Sequence, residues 1–474
     1  MAYKYELSGR NLRPFILTPL IVACALFMEN LDSTIIATSL PAIAADLKQD
    51  PIALKLALTS YLLAQAVFIP ASGWVADRFG TKKVFRAAII VFTLGSILCA
   101  LSSTLPQFVG ARIFQGCGAA MMTPVGRLTL FRSVERSEIV RAMAYLTIPA
   151  LIGPILGPPL GGFISTYLHW RWNFWINVPV GIVGVILTSL YIPDIRDENV
   201  AAFDLRGFLL SGFGLPSLIF GLTVLGRGSI GLGINIALIA AGLILMGFYV
   251  RHALNAANPI LELRLLRIPT FLASVAGGFL FRIGVGATPF LLPLFFQLGF
   301  GMTPFQSGLT TFVATAGALV MKATAATALG RFGFRSTLIF NAVISAAFLA
   351  GNGWFRPDTP QFVLLLALFV GGFFRSLQFT ALNALAYADV ADSDVSKATS
   401  FSAVVQQLSL SSGVAIAAAV VEETRRLSPS GEIEFGEFPP AFFVVAAITA
   451  SSTLIFRRLS LDAGASLAGR KAAG

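Results

Sequence analysis

The spacing of charges constrains this chain more than any other feature. Ten stretches carry no Asp, Glu, Lys or Arg: 56–76, 87–111, 142–168, 172–193, 207–226, 228–250, 283–321, 336–355, 398–421 and 438–456. Each reaches the ~17–25 residues that a helix needs to cross the hydrocarbon core of a bilayer. A soluble domain of this length carries about 25% charged residues; here the fraction is 12%, against 56% hydrophobic residues that include 41 phenylalanines. Such a chain cannot stay dispersed in water, and its charges punctuate membrane spans.

The 283–321 stretch is too long for one crossing, and the turn-like run from Gly299 to Pro304 divides it. Three more helices are expected around ionisable residues, at 14–37 (Glu29, Asp32), 105–128 (Arg112) and 360–386 (Arg375). The total is fourteen, and an even count puts both termini on one side. With the N-terminus inside, 23 of the 34 Lys and Arg fall on the cytoplasmic side, 7 outside and 4 within helices, which is the positive-inside bias. The net charge of +11 is therefore a topology signal, and it leaves no separate basic domain to bind nucleic acid. The first hydrophobic segment runs from Pro14 past residue 30 without a cleavage pattern and reads as helix 1, not a signal peptide. Cys24, Cys99 and Cys117 fall inside spans at spacings that suit neither a metal nor a disulfide, so no cofactor or metal is expected.

Transporters are often built from repeats, and two matches appear. Arg78-Phe79-Gly80 recurs as Arg331-Phe332-Gly333, an offset of 253, and Arg112-Ile-Phe-Gln115 recurs as Arg375-Ser-Leu-Gln378, an offset of 263. The expected architecture is an all-α polytopic membrane protein with two pseudo-symmetric six-helix bundles. The first spans 1–195, an inserted helix pair 196–258, the second bundle 259–458 and a cytoplasmic tail 459–474.

Several segments carry possible chemistry. Helix 5 reads Gly153-Pro-Ile-Leu-Gly157-Pro158-Pro159-Leu-Gly161-Gly162; glycines four apart admit a close neighbour, and the prolines bend the helix into a pivot. Arg112 inside a span must face an aqueous cavity or a partner. Glu29 and Asp32, three residues apart, share one helix face, where burial favours reversible protonation. Asp32 is the first choice of proton carrier and Glu29 the second. In the second bundle Arg282, Lys322 and Arg375 lie far from helix ends, and the 253 offset sets Arg282 opposite Glu29. An acidic wall facing a basic wall across one cavity would suit an anionic or zwitterionic substrate. Gln115 and Gln378 join these three cations as cavity candidates. The aromatic run His169 to Pro179 reads as an interface anchor, and the run Glu422 to Glu437 as a solvated external loop.

The loop Gly73-Trp-Val-Ala-Asp77-Arg78-Phe-Gly80-Thr-Lys82-Lys83 resembles the signature of the major facilitator superfamily. It departs from that pattern at Val75 and Thr81. The helix 5 glycines resemble the antiporter signature of facilitator exporters. The segment from Leu31-Asp32-Ser-Thr34 to Pro41 is similar to that of fourteen-helix drug:proton antiporters, with Ala37 where Asn is usual. The resemblance implies the major facilitator fold, with Gly73, Asp77, Arg78, Gly80 and Lys82 forming a gating loop that ion-pairs across the bundles. It also assigns Arg112 to proton coupling. The implied protein is a proton-driven exporter of small molecules or drugs in the cytoplasmic membrane, monomeric and embedded in lipid, with both termini cytoplasmic. An exporter of organic anions or metal-anion chelates is the alternative; a channel or membrane-embedded enzyme is disfavoured because neither a filter nor a nucleophile–base or metal set is visible.

Overall fold

The computed structural model describes residues 14–134, 139–196, 200, 202–224, 232–391, 394–429 and 433–465. The expected tail beyond 465, and Asp197 and Glu198 before the inserted pair, lie outside the described residues. Among the described residues, fourteen long helices follow one another. The first six are α1 (Pro14–Ile35), α2 (Lys55–Phe79), α3 (Thr81–Leu101), α4 (Leu105–Ser133), α5 (Ile139–Tyr167) and α6 (Asn177–Tyr191). The inserted pair is α7 (Leu205–Val224) and α8 (Leu232–Asn255). The last six are α9 (Gly278–Leu294), α10 (Pro304–Phe332), α11 (Phe334–Gly351), α12 (Gln361–Leu385), α13 (Val395–Leu427) and α14 (Pro439–Ser451). Twelve of these regions are long and apolar enough to cross a membrane, and α4 and α5, of 29 residues each, run alongside them. Large apolar side chains such as Leu94 and Leu98 on α3, Ile186 and Leu190 on α6, and Leu243 and Phe248 on α8 point outward, as lipid-facing surfaces require.

Local chemistry sets the boundaries. Gly80 (φ 97°) and Gly333 (φ 74°) end α2 and α10 in a backbone region that disfavours side chains. Each donates its N–H back to the helix, to Ala76 and Leu329 at 2.9 Å, before the next helix begins. The long apolar run breaks where the sequence suggests: α10 starts at a capping box in which Thr303 and Gln306 bond reciprocally, at 3.2 and 3.0 Å. Before it, α9 is flanked by π-helical turns, Ala273–Gly277 and Phe295–Gly299, the kind of irregularity that often marks a functional segment.

The two bundles repeat the same pairings. In the first, α1 packs on α5 and α6, and α4 on α2 and α3; in the second, α9 packs on α13 and α14, and α12 on α10 and α11. The bundles meet along two seams, α5 against α10 and α2 against α13, and α7 touches both α2 and α13. Asp204 secures the insert: it accepts from His252 at the end of α8 (2.6 Å), from Gly207 N–H (2.9 Å) and from Ile260 N–H (3.0 Å).

The bonds joining the bundles run from mid-depth to the end opposite the glycine turns. Gln65 of α2 accepts from Gln407 of α13, Gln297 donates to Thr38 O at 2.9 Å, Phe305 N–H donates to Thr166 at 3.0 Å, and Asp50 pairs with Arg425. A single apolar core at that end mixes Ile36, Leu40 and Ile43 with Phe290, Phe295 and Leu291. At the other end, ion pairs stay within a bundle: Asp77 with Arg132 in the first, Lys397 with Glu262 and Asp394 in the second. These contacts seal that end, while towards the other α2 and α13 stay packed through Leu63, Ala66 and Ile69 against Phe401, Val404 and Leu408.

Candidate functional site

The centre of the first bundle is a closed polar network. Asp32 on α1 and Arg112 on α4, both 1% exposed or less, pair at 2.6 Å. Arg112 also donates to Gln115 Oε1 (2.6 Å) and contacts Ala57 O at 3.5 Å. Gln115 Nε2 and Asn177 Nδ2 both donate to Asp32 Oδ1, at 2.9 and 3.0 Å, and Asn177 also donates to Ser96 at 2.9 Å. The guanidinium lies 4.0 Å from the centre of the Tyr61 ring, a cation–π contact. Three donors on one carboxylate is the arrangement that a desolvated ion pair needs to persist. Arg112 and Asp32 are thus brought together, and Gln115 belongs to their network.

Glu29, one turn earlier on α1, has different company. It is partly buried and accepts from the Thr123 hydroxyl (2.8 Å) and the Gln65 amide (3.3 Å). Gln65 in turn accepts from Gln407, so Glu29 sits at the end of an amide chain that crosses between the bundles. The Gln407 Oε1 is buried without a partner among the described residues. A hydroxyl can donate or accept, and an amide can rotate to present either group, so this surrounding accommodates a carboxylate or a carboxylic acid. Asp32, facing a guanidinium, has no such freedom.

The helix 5 glycines lie on two contact faces. A Cβ at Gly153 would come within 2.9 Å of the α1 backbone at Leu31 and Phe27, at Gly157 within 2.0 Å of Thr34, and at Gly161 within 2.3 Å of Ile35 O. Gly162 faces the other bundle, where a Cβ would stand 2.3 Å from Pro304 O; reciprocally, a Cβ at Gly308 of α10 would stand 2.2 Å from Pro158 O. The stripe therefore packs α1 against α5 and seals α5 against α10.

The loop residues depart from the expected pairing across the bundles. Asp77 bonds Arg132 within its own bundle at 2.7 Å, and Arg78 is exposed while Lys82 is partly buried. Gly80 is needed, since its φ is positive and a Cβ would meet Asp194 at 2.2 Å, whereas a Cβ at Gly73 meets nothing within 4 Å.

The second-bundle cations do not form one wall facing Glu29. Arg282 is buried, donates to Asn383 at 3.1 Å and lies 5.4 Å from the centre of the Phe379 ring. Lys322 is exposed on α10, and Arg375 lines a cavity inside the second bundle. Both polar atoms of buried Gln378 lack partners among the described residues.

Two other expectations change. Trp170 and Phe174 are buried against Phe108 with ring centres 5.7 and 5.6 Å away, and Trp170 and Arg171 both bond Asp46. The segment expected to anchor the bilayer interface therefore clamps the sealed end, with His169, Trp172 and Pro179 left exposed. The run starting at Glu422 begins as helix, carries Arg425 to Asp50, and ends at a buried Glu437.

Comparison with known proteins extends these observations. The model of the Major Facilitator Superfamily matches residues 22–250 and 274–472. The chain is 40% identical over 456 residues to the "Putative multidrug resistance protein MdtD" of Klebsiella pneumoniae subsp. pneumoniae, covering 94% of each. It is 38% identical to the protein of the same name from Salmonella paratyphi A, covering 93% of this chain and 94% of the other. Among solved structures, a D-xylose-proton symporter matches with a TM-score of 0.68 at 14% identity, over 94% of this chain and 98% of the other. The POT family transporter PepTSo matches with a TM-score of 0.67 at 13% identity, over 97% and 99%. At such identities the structures share the fold alone, while the family model and the curated relatives span nearly the whole chain. The protein belongs to the Major Facilitator Superfamily, a multi-pass family of membrane transporters.

Proposed function

We propose that the protein is a proton-coupled exporter that moves small molecules or drugs out across the bacterial inner membrane by alternating access. The observation that carries this reading is the position of Glu29, partly buried and linked through Gln65 to Gln407 of the opposite bundle. Protonation changes what Glu29 offers Gln65, so the amide chain across the seam must rearrange with it. A proton is thereby tied to the relation between bundles. The ion-paired Asp32, expected from sequence to be the carrier, serves better as the fixed element against which Glu29 works.

The excess of Lys and Arg on the side of the Gly80 and Gly333 turns argues that this side is cytoplasmic. On that assignment the sealed end is external, and the arrangement faces inward. Substrate enters from the cytoplasm as Glu29 gives up its proton; the bundles rock, and protonation from outside accompanies release. The names of the curated relatives support drugs as the substrate class. The second-bundle cations favour organic anions as a second reading.

Proteoliposomes with an imposed pH gradient, screened against cationic dyes and organic anions, test the proposal. Wild type accumulates a substrate only when the gradient is present. Glu29→Gln should exchange substrate without responding to the gradient. Gradient-driven accumulation by Glu29→Gln that matches wild type refutes the assignment.

A further inference from the structure

Packing contacts give the register of the repeat independently of sequence matches. Gly95 of α3 abuts Gln115 of α4, and Phe348 of α11 abuts Gly371 of α12; Tyr61 of α2 abuts Gly116, and Ala314 of α10 abuts Gly372. The α3–α11 and α2–α10 partners are 253 apart, and the α4–α12 partners 256 apart. Arg112 therefore corresponds to Leu368, and Arg375 to Ala119. The Arg–Gln match at offset 263 is out of register by seven residues, two helical turns.

In this register, the place that holds the Asp32 network in the first bundle is a cavity of about 40 Å³ in the second. The 253 offset carries Asp32 onto Val285, while Tyr61, Arg112 and Gln115 become Ala314, Leu368 and Gly371; all four replacements line the cavity. Phe348, in place of Gly95, refills only part of the volume. Arg375, two turns along α12, lines this space with no hydrogen bond or ion pair among the described residues. Ser345, 8% exposed, also lines it, and its hydroxyl has no partner among the described residues. The first bundle supplies its arginine with an internal carboxylate; the second supplies room.

We propose that the second bundle holds an intramembrane binding site for a small inorganic anion of chloride size, occupying the cavity between the Arg375 guanidinium and the Ser345 hydroxyl. The volume suits such an occupant: one water needs roughly 10–15 Å³ on this measure, so the space takes a halide with one or two waters and excludes a drug. The guanidinium and hydroxyl are donors, and Asn352 adds an amide at the wall. The Thr288 and Thr449 hydroxyls that also line it donate to their own helices, and Val285, Ala314 and Leu368 are apolar, so the site favours a weakly hydrated monovalent ion over a strongly hydrated divalent one. A bound anion does for Arg375 what Asp32 does for Arg112. The site is separate from the proposed proton carrier and does not depend on it.

The test uses the full-length protein in nanodiscs of zwitterionic lipid, with unfolding midpoints measured in sodium chloride and in sodium gluconate at equal ionic strength, so that general screening is matched. Wild type should show a saturable rise in midpoint with chloride, as a ligand of the folded state alone produces. Arg375→Gln should abolish that rise, and Val285→Asp should mimic it without added chloride. Ser345→Ala should need several-fold more chloride for the same rise, which keeps the test informative if the arginine variant does not fold. Bromide-soaked crystals should place an anomalous scattering peak in this cavity. Equal wild-type midpoints in the two salts, an undiminished chloride response in Arg375→Gln, or a cavity without bromide would each overturn the proposal.

Discussion

At mid-depth in the first bundle, Asp32, Arg112, Gln115 and Asn177 fill the interior with mutually satisfied hydrogen bonds. At the matching place in the second bundle, Val285, Leu368 and Gly371 surround a cavity also lined by Arg375, which has no hydrogen bond or ion pair among the described residues. The helix pairings are the same in both, so backbone architecture does not dictate where polar chemistry goes. A duplicated fold can keep one half as a rigid electrostatic core and leave the other adjustable. Glu29 lies at the margin of the rigid half, where its amide chain reaches the other.

Arginine substitutions should separate the halves most strongly. Arg112→Leu leaves Asp32 buried without its counter-charge, which costs about 3–5 kcal/mol in comparable cases, and thermal unfolding should report it. A paired Asp32→Leu change should recover part of the loss. Arg375→Leu, measured without chloride, should cost at most ~1 kcal/mol, because no carboxylate is stranded. Equal losses for the two arginines would erase the contrast between bundles.

The seal between halves comes next in size. Gly308→Val or Gly162→Val forces side-chain atoms against the backbone of Pro158 or Pro304. Overpacking of this kind costs about 1–3 kcal/mol, roughly a 5- to 150-fold shift towards the state open at that end. Labelling of a cysteine placed at Thr166 should quicken accordingly. A smaller effect is expected for Gln407→Leu, which deletes one hydrogen bond across the seam, about 1 kcal/mol. It should weaken the pH dependence of bundle separation measured by spin-label distances while leaving the fold intact. Least of all, Arg425→Ala removes a partly exposed ion pair with Asp50, worth at most ~1 kcal/mol. Its effect should vanish at high salt.

Much of this arrangement is legible in the chain because lipid and glycine leave strong marks. Charge spacing gives the fourteen helices, the Arg-Phe-Gly repeat gives the duplication, and the helix 5 glycines announce contacts that the backbone of α1 confirms at Leu31 and Ile35. The pairing of Asp32 with Arg112 is less visible, since two buried charges on different helices do not reveal whether they meet each other or a cavity. Asn177, Gln65, Thr123 and Gln407 carry no sequence signal, because a single neutral polar residue in a span changes hydropathy little. Asn177 was hidden further inside an aromatic run that looks like an interface anchor. The false Arg–Gln register arose because seven residues return nearly to the same helix face, so pattern alone cannot separate one alignment from another two turns away.

Proton release on substrate binding tests the central assignment most directly. Purified protein in weakly buffered solution, mixed with a substrate identified by the flux screen, should release protons in wild type and in Asp32→Asn if that variant folds. Glu29→Gln should bind the same substrate and release none. Release from Glu29→Gln at the wild-type level, or its loss in a folded, substrate-binding Asp32→Asn alone, would contradict Glu29 as the carrier and return that role to Asp32 or to another group.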